Sequence, residues 1–134
     1  MDKVFFDDAT MRLIERSLDL AVQRQGLISS NLANVDTPGY RTMDLHFEQE
    51  LRQAIGSQLA LTVTNPRHIS TNLDGRTGAS PEEVEGMPQR NDLNNVNIDR
   101  EMAQLSTNAM KFAMAAQILA GKFRTLKSAI NEGK

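Results

Sequence analysis

The sequence predicts a mainly α protein. Its long N- and C-terminal helices pack as an antiparallel coiled-coil-like pair, joined by an irregular middle with a short helix and a short strand or hairpin. Three observations carry this. Apolar residues recur at alternating gaps of three and four over residues 11–35, and again over 98–130. That alternation is the pattern of a helix packed along its length against another helix. Chain breakers gather between the two arms, at Pro38, Gly39, Pro66, Gly75, Gly78, Pro81, Gly86 and Pro88. Finally, 134 residues suit one elongated unit rather than two cores. Within that unit, residues 1–35 form the N-terminal arm, 36–96 a turn with a short helix, a strand and a mobile loop, and 97–134 the C-terminal arm.

The N-terminal stripe runs Met11, Ile14, Leu18, Ala21, Gln25, Ile28, Leu32, Val35, apolar at seven of eight positions. Leu13, Leu20 and Leu27 form a second line beside it, which widens the stripe beyond a two-helix seam and calls for more than one neighbour. Asp7 or Asp8 can cap the helix start, and Asp8 stands one turn before Arg12. Pro38 ends the helix, because it pushes Thr37 out of the α region. Pro38-Gly39 suits the centre of a type II turn, where glycine accepts a positive φ. The spacing therefore predicts a helix over 8–35, about 40 Å long.

In the middle, Leu45, Phe47, Leu51 and Ile55 suggest a short helix over 44–55. Residues 59–64 alternate as a short strand that stops at Asn65-Pro66. Residues 70–95 hold few large apolar side chains and the acidic cluster Glu82, Glu83 and Glu85, the composition of a mobile or partner-ordered loop. The C-terminal stripe is the more regular one: Ile98, Met102, Leu105, Ala109, Phe112, Ala116, Leu119, Phe123, Leu126, Ile130, all apolar. Asn97 is its candidate N-cap, Asp99 and Glu101 suit the positive end of the helix dipole, and Gly133 is a stop signal. A helix over 98–131 is on the order of 50 Å long.

Composition excludes several classes. Fifteen Lys and Arg against 17 Asp and Glu give a net charge of −2, without the basic excess of a nucleic-acid binder. The absence of Cys rules out disulfides, Cys-ligated zinc and thiol catalysis. No run is apolar enough to span a bilayer, and the N-terminus lacks the apolar core of a cleaved secretory signal. His46 and His68 are the only histidines, and no HExxH or Ser-His-Asp context surrounds them. They read as surface or packing residues; an enzyme would need a pocket around one of them. Gly75-Arg76-Thr77-Gly78 lacks the Lys-Ser/Thr of a phosphate-binding loop. Lys111, Lys122, Arg124, Lys127 and Lys134 make the C-terminal arm mildly basic, which suits the helix dipole and could meet an acidic surface on a neighbouring subunit.

Ordering two such helices costs about 1–2 kcal/mol per residue, while each large side chain fully buried returns about 1.5–3 kcal/mol. A lone hairpin leaves much of both stripes wet. The expectation is therefore that the arms complete their cores against other copies or other chains. Gly26 and Gly121, inside the predicted helices, are candidates for close backbone approach to a neighbour.

At the end of the first arm, Ser30-Asn31-Leu32-Ala33-Asn34-Val35-Asp36-Thr37-Pro38-Gly39-Tyr40-Arg41 resembles the signature segment of bacterial flagellar rod, hook and hook-associated axial proteins. The start of the second arm, Asn95 to Met102, is also similar to that family. Phe47 to Leu51, Leu59 to Val63 with His68-Ile69, and Asn108 to Phe112 resemble its proximal-rod members, as does the short length. The resemblance implies a structural subunit of the basal-body proximal rod, with no enzymatic activity and no cofactor. It implies export by the flagellar type III apparatus without a cleaved signal, and helical assembly in the periplasmic space that transmits torque from rotor ring to hook. The implied partners are other copies, other proximal-rod proteins, and the rotor-ring adaptor and export-gate proteins at the rod base, with no nucleic acid. Asn31, Asn34, Asp36, Thr37, Pro38, Gly39 and Tyr40 would form the signature turn, with Tyr40 a candidate contact anchor, and the two stripes would supply interface and packing. Another axial rod protein of the family, or a soluble helical regulatory or scaffold module, are the alternative readings.

Overall fold

The computed structural model describes residues 9–58 and 79–132. Three helices and two short strands appear in the order α1 (Ala9–Ala33), β1 (Met43–Asp44), α2 (Phe47–Gln58), β2 (Glu82–Glu83) and α3 (Ile98–Glu132). The Asp7/Asp8 cap, the strand expected at 59–64, His68 and Gly133 lie outside the described residues.

α1 stops at Ala33, two residues before the expected end. The Asn34 amide still reaches the Ser30 carbonyl at 3.1 Å, but the Val35 amide turns to Leu32 at 3.4 Å, so the helix tightens before it ends. The next turn has the expected type II geometry. The Tyr40 amide donates to the Thr37 carbonyl at 3.2 Å, and Gly39 sits at φ +72°.

Met43 pairs with Glu83 and Asp44 with Glu82 in a two-stranded antiparallel ladder. The short helix therefore begins at Phe47 rather than at Asp44. The Asp44 carboxylate accepts the Leu45 amide at 2.7 Å and the Arg24 guanidinium at 2.9 and 3.0 Å, which holds the backbone extended. At the start of α3, Asn97 caps as the sequence predicts: its side-chain oxygen accepts the Arg100 amide at 3.1 Å.

α3 runs antiparallel to α1. Glu101 meets Asn31 near the end of α1, and Asn108 meets Ala21 and Gln25 further back. α2 lies against one side of the pair, tied by Glu50 to Arg16 of α1 (3.4 Å) and by Lys111 of α3 over the Phe47 ring (4.7 Å to its centre). Among the described residues the apolar core is small: Ile14, Leu20, Ala21, Ile28, Leu45 and Val96.

One expectation needs correction. The described part of the 70–95 loop, residues 79–95, is anchored: Asn94 and Asn95 are buried beside Val96, and the Val84 amide bonds the Thr42 carbonyl at 2.9 Å. Composition pointed to mobility because the anchors are amides, which composition counts as polar. Among the described residues, an added Cβ at Gly26 or Gly121 meets nothing within 4 Å, so the close approach expected at each would be to a neighbouring chain. Both face away from the α1–α3 seam. Among the described residues, no helix is long and apolar enough to cross a membrane.

Candidate functional site

A polar clamp fixes the turn to the helix pair. Asn31 is 1% exposed and uses its whole amide. Its nitrogen donates to the Met43 carbonyl (2.8 Å) and to Glu101 Oε2 (2.9 Å). Its oxygen accepts the Met43 amide (3.1 Å) and the Tyr40 hydroxyl (3.2 Å). One side chain thus joins α1, the turn, β1 and α3. Tyr40, half-buried, is a packed member of this clamp, with its hydroxyl also 3.3 Å from that of Ser30.

Asn94 closes the other side of the turn. Its amide nitrogen donates to the Asn34 carbonyl (3.0 Å) and the Thr37 carbonyl (2.8 Å), and its oxygen accepts the Val96 amide (2.8 Å). The Gly39 amide donates to the Asp92 carbonyl (2.8 Å), and Asn95 Oδ1 accepts the Thr42 amide (2.7 Å). Arg90 reaches the Val35 carbonyl at 3.1 Å and lies 3.9 Å from Asp36. Asn34 turns inward on the chain, donating to Ser30 and accepting from Thr37, while Asp36, Thr37, Pro38 and Gly39 stay exposed. The turn is therefore a rigid, outward-facing corner whose backbone is satisfied by amides behind it.

An ion network supports the clamp. Asp44 takes both Arg24 nitrogens and lies 3.6 Å from Arg100, which in turn reaches Glu101 Oε1 at 3.2 Å. Glu101, which suits the helix dipole from its place in the first turn, is 0% exposed. Burial pushes the Asp44 carboxyl up, but the Arg24 hydrogen bond, the Leu45 amide and the Arg24 and Arg100 charges together outweigh it and hold it below its ordinary value. A carboxyl depressed on folding adds stability above its unfolded pKa and loses it as pH falls through the folded one. The melting temperature is thus expected to drop as pH falls below about 4. Asp44→Asn should melt lower at pH 7 and lose less over the same window, as thermal melts followed by circular dichroism would show.

The predicted stripe residues divide unequally. On the N-terminal arm, Ile14, Ala21 and Ile28 are buried, Met11, Leu18, Leu32 and Val35 half-buried, and Gln25 exposed. On α3, Leu105, Ala116, Leu119 and Leu126 are half-buried, whereas Ile98, Met102, Ala109, Phe112, Phe123 and Ile130 are exposed. The fully covered positions of α3 are Glu101 and Asn108, both polar. Asn108 donates to the Ala21 carbonyl (2.8 Å) and to Gln25 (3.2 Å); its own oxygen is buried with no partner among the described residues.

Helical geometry explains the inversion. Each residue advances about 100° around the axis. Measured from Ala21 and Asn108, which face each other, Arg24, Asn31, Arg100 and Lys111 fall on the side covered by α2 and β1. Met11, Leu18 and Val22 fall on the opposite side of α1, and Met102, Ala109, Ala116 and Phe123 on the same side of α3. Nothing among the described residues packs over that second side. An apolar groove runs along the pair, with Val22 59% and Phe123 53% exposed. Such a face is suited to receiving another helix. His46, weighed as a reactive residue, is exposed with Nε2 3.3 Å from Glu82.

Sequence reasoning missed Glu101, Asn108, Asn94, Asn95 and Thr42 as structural residues. The available signal was positional: Glu101 and Asn108 are seven apart, two turns along one face. No signal linked Asn94 to Asn34 and Thr37, because 57 to 60 residues separate them.

The comparisons follow this geometry. A family model described as "Flagella basal body rod protein" matches residues 16–41, which span most of α1, the clamp residue Asn31 and the turn. The chain is similar to "Flagellar basal body rod protein FlgB" of Escherichia coli (strain K12), 32% identical over 133 residues, covering 94% of this chain and 96% of that protein. The protein of the same name from Bacillus subtilis (strain 168) is 30% identical, covering 93% and 95%. That from Borrelia hermsii is 33% identical, covering 92% and 96%.

Proposed function

Because the chain belongs to the family of flagellar basal body rod proteins of the FlgB type, we propose that its α1–α3 pair is an unfinished wall segment of the proximal rod, completed by helices of neighbouring subunits. It is a structural subunit of the flagellar basal body and not an enzyme. The observation that carries the mechanism is the open groove. The stripe residues Ile98, Met102, Phe112, Phe123 and Ile130 stay exposed in the single chain, so association is driven by burying them.

The division of labour follows from the site. The groove and the α3 stripe supply interface area. The clamp around Asn31 holds the exposed corner 36–39 at a fixed angle to α1, so the middle segment meets neighbours in one orientation. Torque is carried by close-packed, non-closing contacts repeated along a helix. Other copies, other proximal-rod proteins and, at the rod base, the rotor-ring adaptor and export-gate proteins are the partners. The flagellar type III apparatus delivers the chain to its place in the periplasmic space.

Deleting the gene in its own host is expected to abolish swimming and to leave basal bodies without rods in electron micrographs, with both restored by the wild-type chain. Swimming cells that lack the protein would overturn this reading.

A further inference from the structure

Among the described residues, the charges of Glu15, Asp19, Arg124 and Lys127 on the long helices stand outside the ion pairing. Glu15 and Asp19 are exposed, one turn apart on α1. Arg124 and Lys127 are exposed, three residues apart near the end of α3. By angular position Glu15 lies on the groove side of α1 beside Leu18 and Val22, with Asp19 next to it. Lys127 lies on the groove side of α3 beside Phe123, with Arg124 next to it. No ion pair holds any of the four among the described residues.

The two pairs cannot meet within one chain. The contacts of Asn31 with Glu101 and of Ala21 with Asn108 set the register of the antiparallel helices. That register brings residues near 115 of α3 alongside Glu15 and Asp19. Arg124 and Lys127 lie about ten residues further on, a separation on the order of 15 Å along the axis. At that distance exposed charges are largely screened, since the Debye length is about 8 Å at physiological salt.

We propose that a second copy of this chain, displaced along the helix axis by on the order of 15 Å, lays the C-terminal half of its α3 along the open groove. Its Arg124 and Lys127 then face Glu15 and Asp19 while its Phe123 and Ala116 cover Leu18 and Val22. The inference rests on the rod-subunit reading and adds to it the occupant of the groove, its direction and its stagger. The contact joins unlike surfaces, so repeating it builds an open series rather than a closed dimer. Charge also sets the direction. An α3 laid the other way would bring its Asp99 end toward Glu15 and Asp19, and like charges oppose that arrangement.

The test is a charge exchange in the full-length chain, produced in a host lacking the native copy and scored by its content in isolated basal bodies. Arg124→Glu with Lys127→Glu, and separately Glu15→Lys with Asp19→Lys, are each expected to lower incorporation roughly tenfold. The chain carrying all four substitutions should recover most of it. All four positions are exposed, and circular dichroism checks that each variant keeps its helices. Normal incorporation of either reversed pair, or a fourfold variant as poor as its parents, overturns the pairing. If the charge variants assemble normally but Phe123→Asp does not, the rod-subunit reading stands and the charge pairing falls. If every one of them assembles, the charge pairing falls and the groove is not the assembly surface.

Discussion

Phe123→Asp is expected to leave the isolated chain folded and to abolish rod assembly. Phe123 is 53% exposed on the groove side of α3, so a charge there costs the single chain little, within about 0.5 kcal/mol for a surface site. In the proposed assembly the same position would be covered by apolar side chains, and an unpaired carboxylate in such a seam costs several kcal/mol. The contrast between the two states makes the variant informative. Leu119→Asp lacks that contrast, because Leu119 is half-buried on the face turned to α1 and its substitution weakens the fold and the assembly together. Helix content and melting temperature of the purified variant should match wild type, while swimming is lost. His46→Ala, at another exposed position, is the control expected to swim. A swimming Phe123→Asp strain would remove the groove from the assembly surface.

Asn31→Ala carries the largest expected loss of intrinsic stability, roughly 3–4 kcal/mol. The substitution removes four hydrogen bonds at once and leaves the Glu101 carboxylate, the Tyr40 hydroxyl and both backbone groups of Met43 without their Asn31 partner. Glu101 is fully buried, so the bare Oε2 left behind dominates the cost; Arg100 at 3.2 Å still pairs the carboxylate, but through Oε1. Urea unfolding followed by circular dichroism measures the loss. A change under about 1 kcal/mol, the size of one ordinary hydrogen bond, would show that the turn is held by something other than this clamp.

The clamp and the groove make opposite use of the same helices. An ordinary helix pair covers its apolar positions and leaves polar ones to solvent. Here α3 covers Glu101 and Asn108 and leaves Phe112, Phe123 and Ile130 uncovered. Buried polar groups add little net stability but penalise wrong registers, since any shift strands them without partners. The polar positions thus set the register of α1 against α3, and the apolar positions remain available for neighbours.

The sequence by itself determined what is periodic or local. The alternation of three and four specified both long helices to within two residues of their observed ends, Ala33 and Glu132. Pro38 and Gly39 specified the type II corner, and Asn97 specified the cap of α3, because each acts through atoms within a few residues of itself. The segment Ser30 to Arg41 also pointed to the axial-protein family, and residues 16–41 match the rod-protein model. Only the tertiary structure decided which side of each helix is covered. A stripe wider than one seam offers several faces, and the choice among them was made by Asn31, Asp44, Asn94 and Glu101, each of which has a partner 20 to 70 residues away. Periodicity records the face a helix shows; it carries no record of hydrogen bonds between distant amides and carboxylates, which exist only once the chain has brought them together.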